Sequence, residues 1–451
     1  MLLAFRVSNF RSVRDEQELS LVRSRRLART SADRAETDGR HWNLDVSPVS
    51  ALYGGNASGK SNVLDAIHFM ASAVDRSYSK WSPDGDIPFE PFRLDAAHIH
   101  EPLRLEIELL LQGVRHQYGF ELNQREILRE WLYAYPHGRR QTWFERDRDG
   151  ADEWYFGRAL GGRNRVIAEL TRPNALFLST AATSKHQQLS PIYHWLARRI
   201  RLDSSRNTQS RMLFTFHQLD ACKELGEKLR QLLVLADLGI QDIKVRHKES
   251  TDEEKLRIIR LAKAMVASAE EPEGVDEDAV ANALQRAGTY VELQHLCGDG
   301  SPPVGLPFET ESLGTQALVA LAGPLLQALR SGYLLMVDEL DTSLHPRLVA
   351  ELVKLFQSPV SNPKQAQLVF STHDASLLGS LVGEAPILER DQVWFVEKDG
   401  SGATSVYPLT DFSPRRLENL ERGYLQGRYG AVPFLKEKEL ISALGDAESV
   451  D

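Results

Sequence analysis

Residues Gly54-Gly55-Asn56-Ala57-Ser58-Gly59-Lys60-Ser61 decide how this chain is read. They fit the spacing G-x-x-x-x-G-K-[ST], and phosphate chemistry uses each part of it. Gly54, Gly55 and Gly59 let backbone N–H groups curl around phosphate oxygens with no side chain in the way. Lys60 offers a point charge to the β and γ phosphates, and the Ser61 hydroxyl is a ligand for Mg²⁺. Asn56 and Asn62 lie within the same turn and count with the nucleotide-binding residues. The strand-like run Val49-Ser50-Ala51-Leu52-Tyr53 leads in. A helical pattern with Val63, Leu64, Ile67 and Met70 leads out, and its N-terminus aims a positive dipole end at the phosphates. The expected cofactors are ATP and Mg²⁺.

A second acidic element supports the first. Tyr333-Leu334-Leu335-Met336-Val337 is a continuous apolar run, as in a buried parallel strand, and it ends in Asp338-Glu339. A carboxylate at the C-terminal end of such a strand sits where ligands bind in open α/β sheets. This is the Walker B pattern: Asp338 holds Mg²⁺ through water, and Glu339 polarises the attacking water. Another strand, from Gln367 to Phe370, leads into Ser371-Thr372-His373-Asp374. A histidine at that tip is placed to bond a γ-phosphate or the nucleophilic water. Upstream, Glu311-Ser312-Leu313-Gly314-Thr315-Gln316 opens an apolar helix, and Ser312 and Gly314 at a helix N-terminus make a second anion site. One chain needs one phosphate site per nucleotide, so the second is expected to serve another subunit's nucleotide.

Composition narrows the class. The 451 residues suffice for two or three domains, and 42 % hydrophobic content is globular. The net charge of −9 argues against a generally basic nucleic-acid binder. Arg198, Arg199, Arg201, Arg206 and Arg211 form the one local basic cluster, read first as a solvated face. Two distant cysteines, Cys222 and Cys297, suggest a reduced compartment. No signal-like or bilayer-long apolar run is seen, so cytoplasmic residence without membrane association is expected. His98-Ile99-His100-Glu101 lacks a distant cluster to complete a metal site. Trp131, Tyr133, Tyr135 and Trp143 read as packed strand faces. Ser179, His186 and His217 suggest no nucleophile pair.

Along the chain, Leu2 to Asn9 has strand character and Arg23 to Arg40 reads as a loop. Leu103 to Leu111 and Gln117 to Leu122 form a hairpin pattern around Gln112-Gly113, and Glu130 to Tyr135 with Thr142 to Arg146 form another. The period turns helical from Ser190 to about Ala287, with helices over Ala221–Leu235 and Glu254–Met265 and a candidate strand at Ile240–His247. Glu270 to Asp278 reads as an acidic connection. Val393 to Val396 is a further buried strand. The expected domains are 1–180, the P-loop and β-lobe part of an ATPase head; 181–289, a mainly helical insertion; and 290–451, the rest of the head.

The order P-loop, Ser-x-Gly signature, Asp-Glu Walker B, Asp341 and His373 resembles the ABC-type ATPase heads of SMC, RecF and OLD-like proteins. Val7-Ser8-Asn9-Phe10-Arg11-Ser12 is similar to the first strand of SMC and RecF heads. Glu311 and Thr315 depart from the transporter signature, which has leucine and glutamine there. Closer still is a resemblance to ATP-binding proteins of abortive-infection and Septu-type anti-phage systems, carried by Ile87-Pro88-Phe89 with Phe92-Arg93-Leu94, Ala236-Asp237-Leu238-Gly239-Ile240 and the tail Tyr424 to Phe434. The resemblance implies an α/β fold: an ABC-ATPase head with a mixed sheet and an antiparallel β lobe, interrupted by a helical lid.

It also implies a homodimer or higher even oligomer that closes around ATP and hydrolyses it. Asp341 is then the D-loop residue, and Lys60, Glu339 and His373 are catalytic. Coiled-coil arms are missing, and little sequence follows His373 for an OLD-type nuclease. The expected partner is therefore a separate effector, a nuclease or toxin, with nucleic acid reached through that complex. The alternatives are a RecF-like ATPase that clamps duplex DNA itself and a non-hydrolysing ATP-binding scaffold.

Overall fold

In the computed structural model the described residues are 1–23, 45–203, 212, 214–216, 218–219, 223–236, 239–247, 289–298, 301–380, 385–415 and 418–432. Outside them fall Arg206, Arg211, His217, Cys222, the expected helix at 254–265, the acidic run at 270–278, most of the expected loop at 23–40, Asp237-Leu238, and Pro433-Phe434 of the tail.

In chain order the strands are β1 (Leu2–Ser8), β2 (Gln17–Ser20), β3 (Val49–Tyr53), β4 (Leu103–Leu111), β5 (Val114–Leu122), β6 (Ile127–Tyr135), β7 (Gln141–Asp147), β8 (Trp154–Phe156), β9 (Ile200–Asp203), β10 (Ile240–His247), β11 (Thr289–His295), β12 (Val304–Pro307), β13 (Leu334–Val337), β14 (Gln367–Thr372), β15 (Val393–Lys398) and β16 (Thr404–Pro408). The helices are α1 (Lys60–Arg76), α2 (Asn164–Glu169), α3 (Phe177–Thr183), α4 (Ser190–Arg199), α5 (Lys223–Leu235), α6 (Leu313–Ser331), α7 (Pro346–Gln357) and α8 (Leu420–Leu425). The chain divides into two compact units. The first holds Met1–Leu202, Gly332–Leu340 and Ala350–Asp451; the second holds Asp203–Ser331 and Asp341–Val349.

The first unit carries two sheets. One is seven-stranded, in the order β2-β1-β4-β5-β6-β7-β8; the other is six-stranded, in the order β16-β15-β3-β14-β13-β9. β15, β3, β14 and β13 are mutually parallel, and β16 closes one edge antiparallel. All five residues of β3 and all six of β14 are buried, which is why their sequences show no alternation of apolar and charged residues. α1 buries Val63, Leu64, Ile67, Met70 and Val74 at helical spacing, in one core with Leu105, Tyr118, Phe120, Phe177 and Trp195.

Both expected hairpins form, as β4–β5 and β6–β7. Gln112 and Gly113 have φ of 53° and 78°, so both central residues of the first turn are left-handed, as its strand twist requires. Glu130 is a charge in the middle of an apolar strand because it caps α3. Its carboxylate accepts Phe177 N–H at 2.6 Å, Leu178 N–H at 3.0 Å and the Tyr118 hydroxyl at 3.0 Å. Complete burial raises its pKa, while those donors pull the other way.

The helical period expected from Ser190 breaks at Ile200. Residues Ile200–Asp203 instead form β9 on the edge of the six-stranded sheet. Four residues are too few to show a period of two against the helical pattern before them.

In the second unit, α5 and α6 accompany an antiparallel three-stranded sheet, β10-β11-β12. α6 runs through Pro324. Proline has no N–H to give to the carbonyl four residues back, Ala320. Thr215 replaces it: its hydroxyl donates to Ala320 O at 3.0 Å. Gly323 leaves room for this contact, since a Cβ there would fall 2.3 Å from Thr215 Oγ1. Thr215→Val keeps the shape and orphans the carbonyl, so it is expected to cost about 1–2 kcal/mol in chemical denaturation, with Thr215→Ser near parental. Equal midpoints for the valine variant and the parent would show that the carbonyl needs no donor.

Candidate functional site

Sheet register brings the ends of β3, β14 and β13 to one end of the six-stranded sheet. Thr372 pairs with Tyr53, and Phe370 pairs with Val337. The next residues along the three parallel strands are His373, Gly54 and Asp338. β14 lies between β3 and β13, so His373 leaves the sheet between the glycine-rich loop and the acidic pair.

The loop is tightly specified. Gly59 precedes α1 at φ 110°, and Ala57 is also left-handed at φ 60°. No side chain caps the helix and its first turn holds no acid, so its positive end is not neutralised locally. Lys60 Nζ donates to the carbonyls of Gly54 at 2.8 Å and Gly55 at 3.0 Å, folding its ammonium across the loop. A Cβ on Gly54 would lie 2.3 Å from Val396 O. Ser58 Oγ is buried and makes no hydrogen bond among the described residues, nor does Asp374 Oδ2 beside His373.

Asp338 is 6 % exposed, and its Oδ1 accepts the Ser371 hydroxyl at 2.6 Å. The same Oγ accepts the Glu339 N–H at 2.7 Å. Glu339 has φ 56°, a left-handed conformation that costs an ordinary residue on the order of 1 kcal/mol. Ser371 thus fixes the acidic pair from the neighbouring strand, and it is missing from the residues picked out by sequence. Its signal was present: it stands two positions before His373 on β14, which borders β13.

These groups fit a nucleotide with a divalent cation. An ammonium, an uncapped helix N-terminus and a buried carboxylate, at the ends of strands with only β14 between them, form a hard, oxygen- and phosphate-seeking donor set.

Asn62, in the first turn of α1, donates from its Nδ2 to Ser12 Oγ at 2.6 Å. In the second unit, Ser312 caps α6, with its Oγ accepting Thr315 N–H at 3.2 Å and 2.9 Å from Thr315 Oγ1. Gly314 is glycine for a local reason, since a Cβ would approach Ser343 O to 2.8 Å. Leu313 between them is 73 % exposed. Asp341 lies in the same unit, its carbonyl accepting Leu344 N–H.

Tyr424 and Tyr429 of the tail motif are buried. Phe395 stacks between Tyr424 and Tyr429, each with ring centroids 5.6 Å away. Tyr424 also meets Tyr53, the residue before Gly54, at 5.4 Å, and the Tyr53 hydroxyl donates to Asp374 O at 3.1 Å. Burial pushes the Tyr424 phenol up to about 12.

A buried parallel strand entering a phosphate loop, with an acidic pair two strands away, defines a P-loop ATPase domain. The family model described as "AAA domain, putative AbiEii toxin, Type IV TA system" matches residues 49–379. The chain belongs to that family. Among solved structures it is similar to the SMC head domain from Thermotoga maritima, at 14 % identity over 90 % of this chain and 98 % of that one, with a TM-score of 0.38. It is also similar to an SmcHead bound to the C-winged helix domain of ScpA, at 13 % identity, 90 % and 96 % coverage and a TM-score of 0.38. No curated protein matches the sequence. Among the described residues, no helix is long and apolar enough to cross a membrane.

Proposed function

We propose that this chain binds Mg²⁺–ATP at the C-terminal ends of β3, β14 and β13, hydrolyses it, and uses the cycle to regulate a separate effector in an abortive-infection system. The observation that carries the reading is the register that brings Lys60, Asp338, Glu339 and His373 to one sheet end. Bound Mg²⁺–ATP would supply the electrophilic phosphorus and the charge for these groups to hold. Lys60 and the first N–H groups of α1 neutralise phosphate charge. Ser61 and Asp338 are the residues that would hold the cation. Glu339, set apart by its left-handed backbone, orients a water and accepts its proton, while His373 holds that water or a phosphate oxygen by hydrogen bonding. Ser371 fixes both acids without touching substrate.

Ser312 and Gly314, with the exposed Leu313, support a signature surface that completes a second copy's site in a two-fold pair. Within the segment 181–289, α4 and β9 belong to the first unit, and the part from α5 onward is then a docking surface outside the nucleotide chemistry. The family description, which names a toxin of a Type IV system, supports an effector role at the level of the whole system.

Purified alone, the chain is expected to release phosphate from ATP and to leave DNA and RNA intact with Mg²⁺ or Mn²⁺. Metal-dependent cleavage by the contaminant-free chain would overturn the separate-effector reading. Co-expressed with its genomic neighbour, it is expected to form a complex whose nuclease or toxic activity depends on Glu339.

Mixing heads tests the shared site. Ser312→Arg blocks the trans contact by bulk, and Lys60→Ala disables the loop. In a mixed pair both lesions fall on one composite site and leave the other intact. Activity absent from each parent is expected to return. Mixed pairs that form without regaining activity would place each site within one chain.

A further inference from the structure

We infer that Ser12 and Thr404 are positioning residues that hold the phosphate loop in its binding shape, through a hydrogen-bond relay running from Asn62 to the Ser58 carbonyl. The inference rests on the reading of this loop as the nucleotide site.

Ser12 follows β1, and Thr404 opens β16 at the far end of the chain. Both are buried, at 9 % and 1 % exposure. Asn62 Nδ2 lies 2.6 Å from Ser12 Oγ, Ser12 Oγ lies 2.8 Å from Thr404 Oγ1, and Thr404 Oγ1 lies 3.0 Å from Ser58 O. Proton counting fixes the direction. The Ser58 carbonyl can only accept and the Asn62 amide N–H only donates, so each hydroxyl passes one proton along. Asn62 donates to Ser12, Ser12 to Thr404, and Thr404 to Ser58. The backbone closes the arrangement, with Thr404 N–H donating to Ser12 O at 2.7 Å.

The relay grips the loop on both sides of its glycine hinge. Ser58 precedes Gly59, and Asn62 lies in the first turn of α1. Gly59, at φ 110°, presses against the same threonine: a Cβ there would fall 2.2 Å from Thr404 Oγ1. The conformation of Gly59 sets where the N–H groups of α1 point. A loop held this way before the ligand arrives has less conformational freedom to lose on binding. None of the three side chains needs to touch nucleotide to act.

The test uses the full chain. Thr404→Val removes the hydroxyl at nearly constant shape, and Thr404→Ser retains it. Affinity for ATP with Mg²⁺ is read by calorimetry. Amide hydrogen exchange across residues 54–62 is read without nucleotide, beside the melting midpoint. Thr404→Val is expected to weaken ATP about tenfold, the effect of one buried hydrogen bond, and to speed exchange in 54–62, with Thr404→Ser restoring both. Ser12→Ala breaks the same relay and is expected to give the same pair of changes, so it carries the test if the valine variant fails to fold. Parental affinity in folded Thr404→Val or Ser12→Ala would overturn the inference. If the parent chain binds no ATP, the nucleotide-site reading fails, and the exchange measurement alone still decides whether the relay orders the loop.

Discussion

Glu339→Gln should bind Mg²⁺–ATP with near-parental affinity and release phosphate at least about 100-fold more slowly, the usual contribution of a positioned general base. The amide is isosteric and keeps the backbone N–H that bonds Ser371 Oγ, so the acidic strand end stays in place. It cannot take up a proton from water at neutral pH. Binding and chemistry therefore separate, and the variant should accumulate as an ATP-held pair on size-exclusion chromatography. Near-normal turnover in folded Glu339→Gln would remove Glu339 from the reaction and leave His373 as the group to test next. His373→Ala should slow turnover as well, with a smaller loss of binding.

Lys60→Ala should lower ATP affinity by about 100-fold or more, because it deletes a charge-assisted contact in a partly desolvated loop. Lys60 is 6 % exposed, and its ammonium is already turned inward onto the Gly54 and Gly55 carbonyls. Water cannot replace a fixed ammonium there. A structural loss is separable from a binding loss. If the loop collapses, hydrogen exchange across 54–62 rises in the nucleotide-free chain; if only the charge is missing, it stays close to parental. Unchanged affinity in a folded variant would mean that this loop is not the nucleotide site.

The parts legible in sequence are those where one local rule dominates. The phosphate loop has a fixed spacing and a strand and helix around it. β13 is apolar on every residue, and β14 carries the apolar run Leu368-Val369-Phe370; both strands are fully buried, and both are found within a residue or two of their expected positions. What escaped were contacts between distant segments. Ser12 and Thr404 lie far apart along the chain and meet where β16, at one edge of the six-stranded sheet, packs near β2, at one edge of the seven-stranded sheet. Ser371 does not stand out in sequence because hydroxyls are common and its role exists only through the β13–β14 pairing. β9 was too short to break a helical pattern, and Thr215 makes sense only once α6 is seen to continue through Pro324. The tail reads in sequence equally as a structural cap or a docking surface, since the stack of Tyr424, Phe395 and Tyr429 depends on strand β15.

The most direct measurement is a crystal structure of the full chain with Mg²⁺ and a non-hydrolysable ATP analogue. The phosphates are expected within residues 54–61, with the Lys60 ammonium turned from the Gly54 and Gly55 carbonyls onto them and the cation between Ser61 and the Asp338 side. Nucleotide bound elsewhere, with Lys60 still on those two carbonyls at saturating ligand, would contradict this placement.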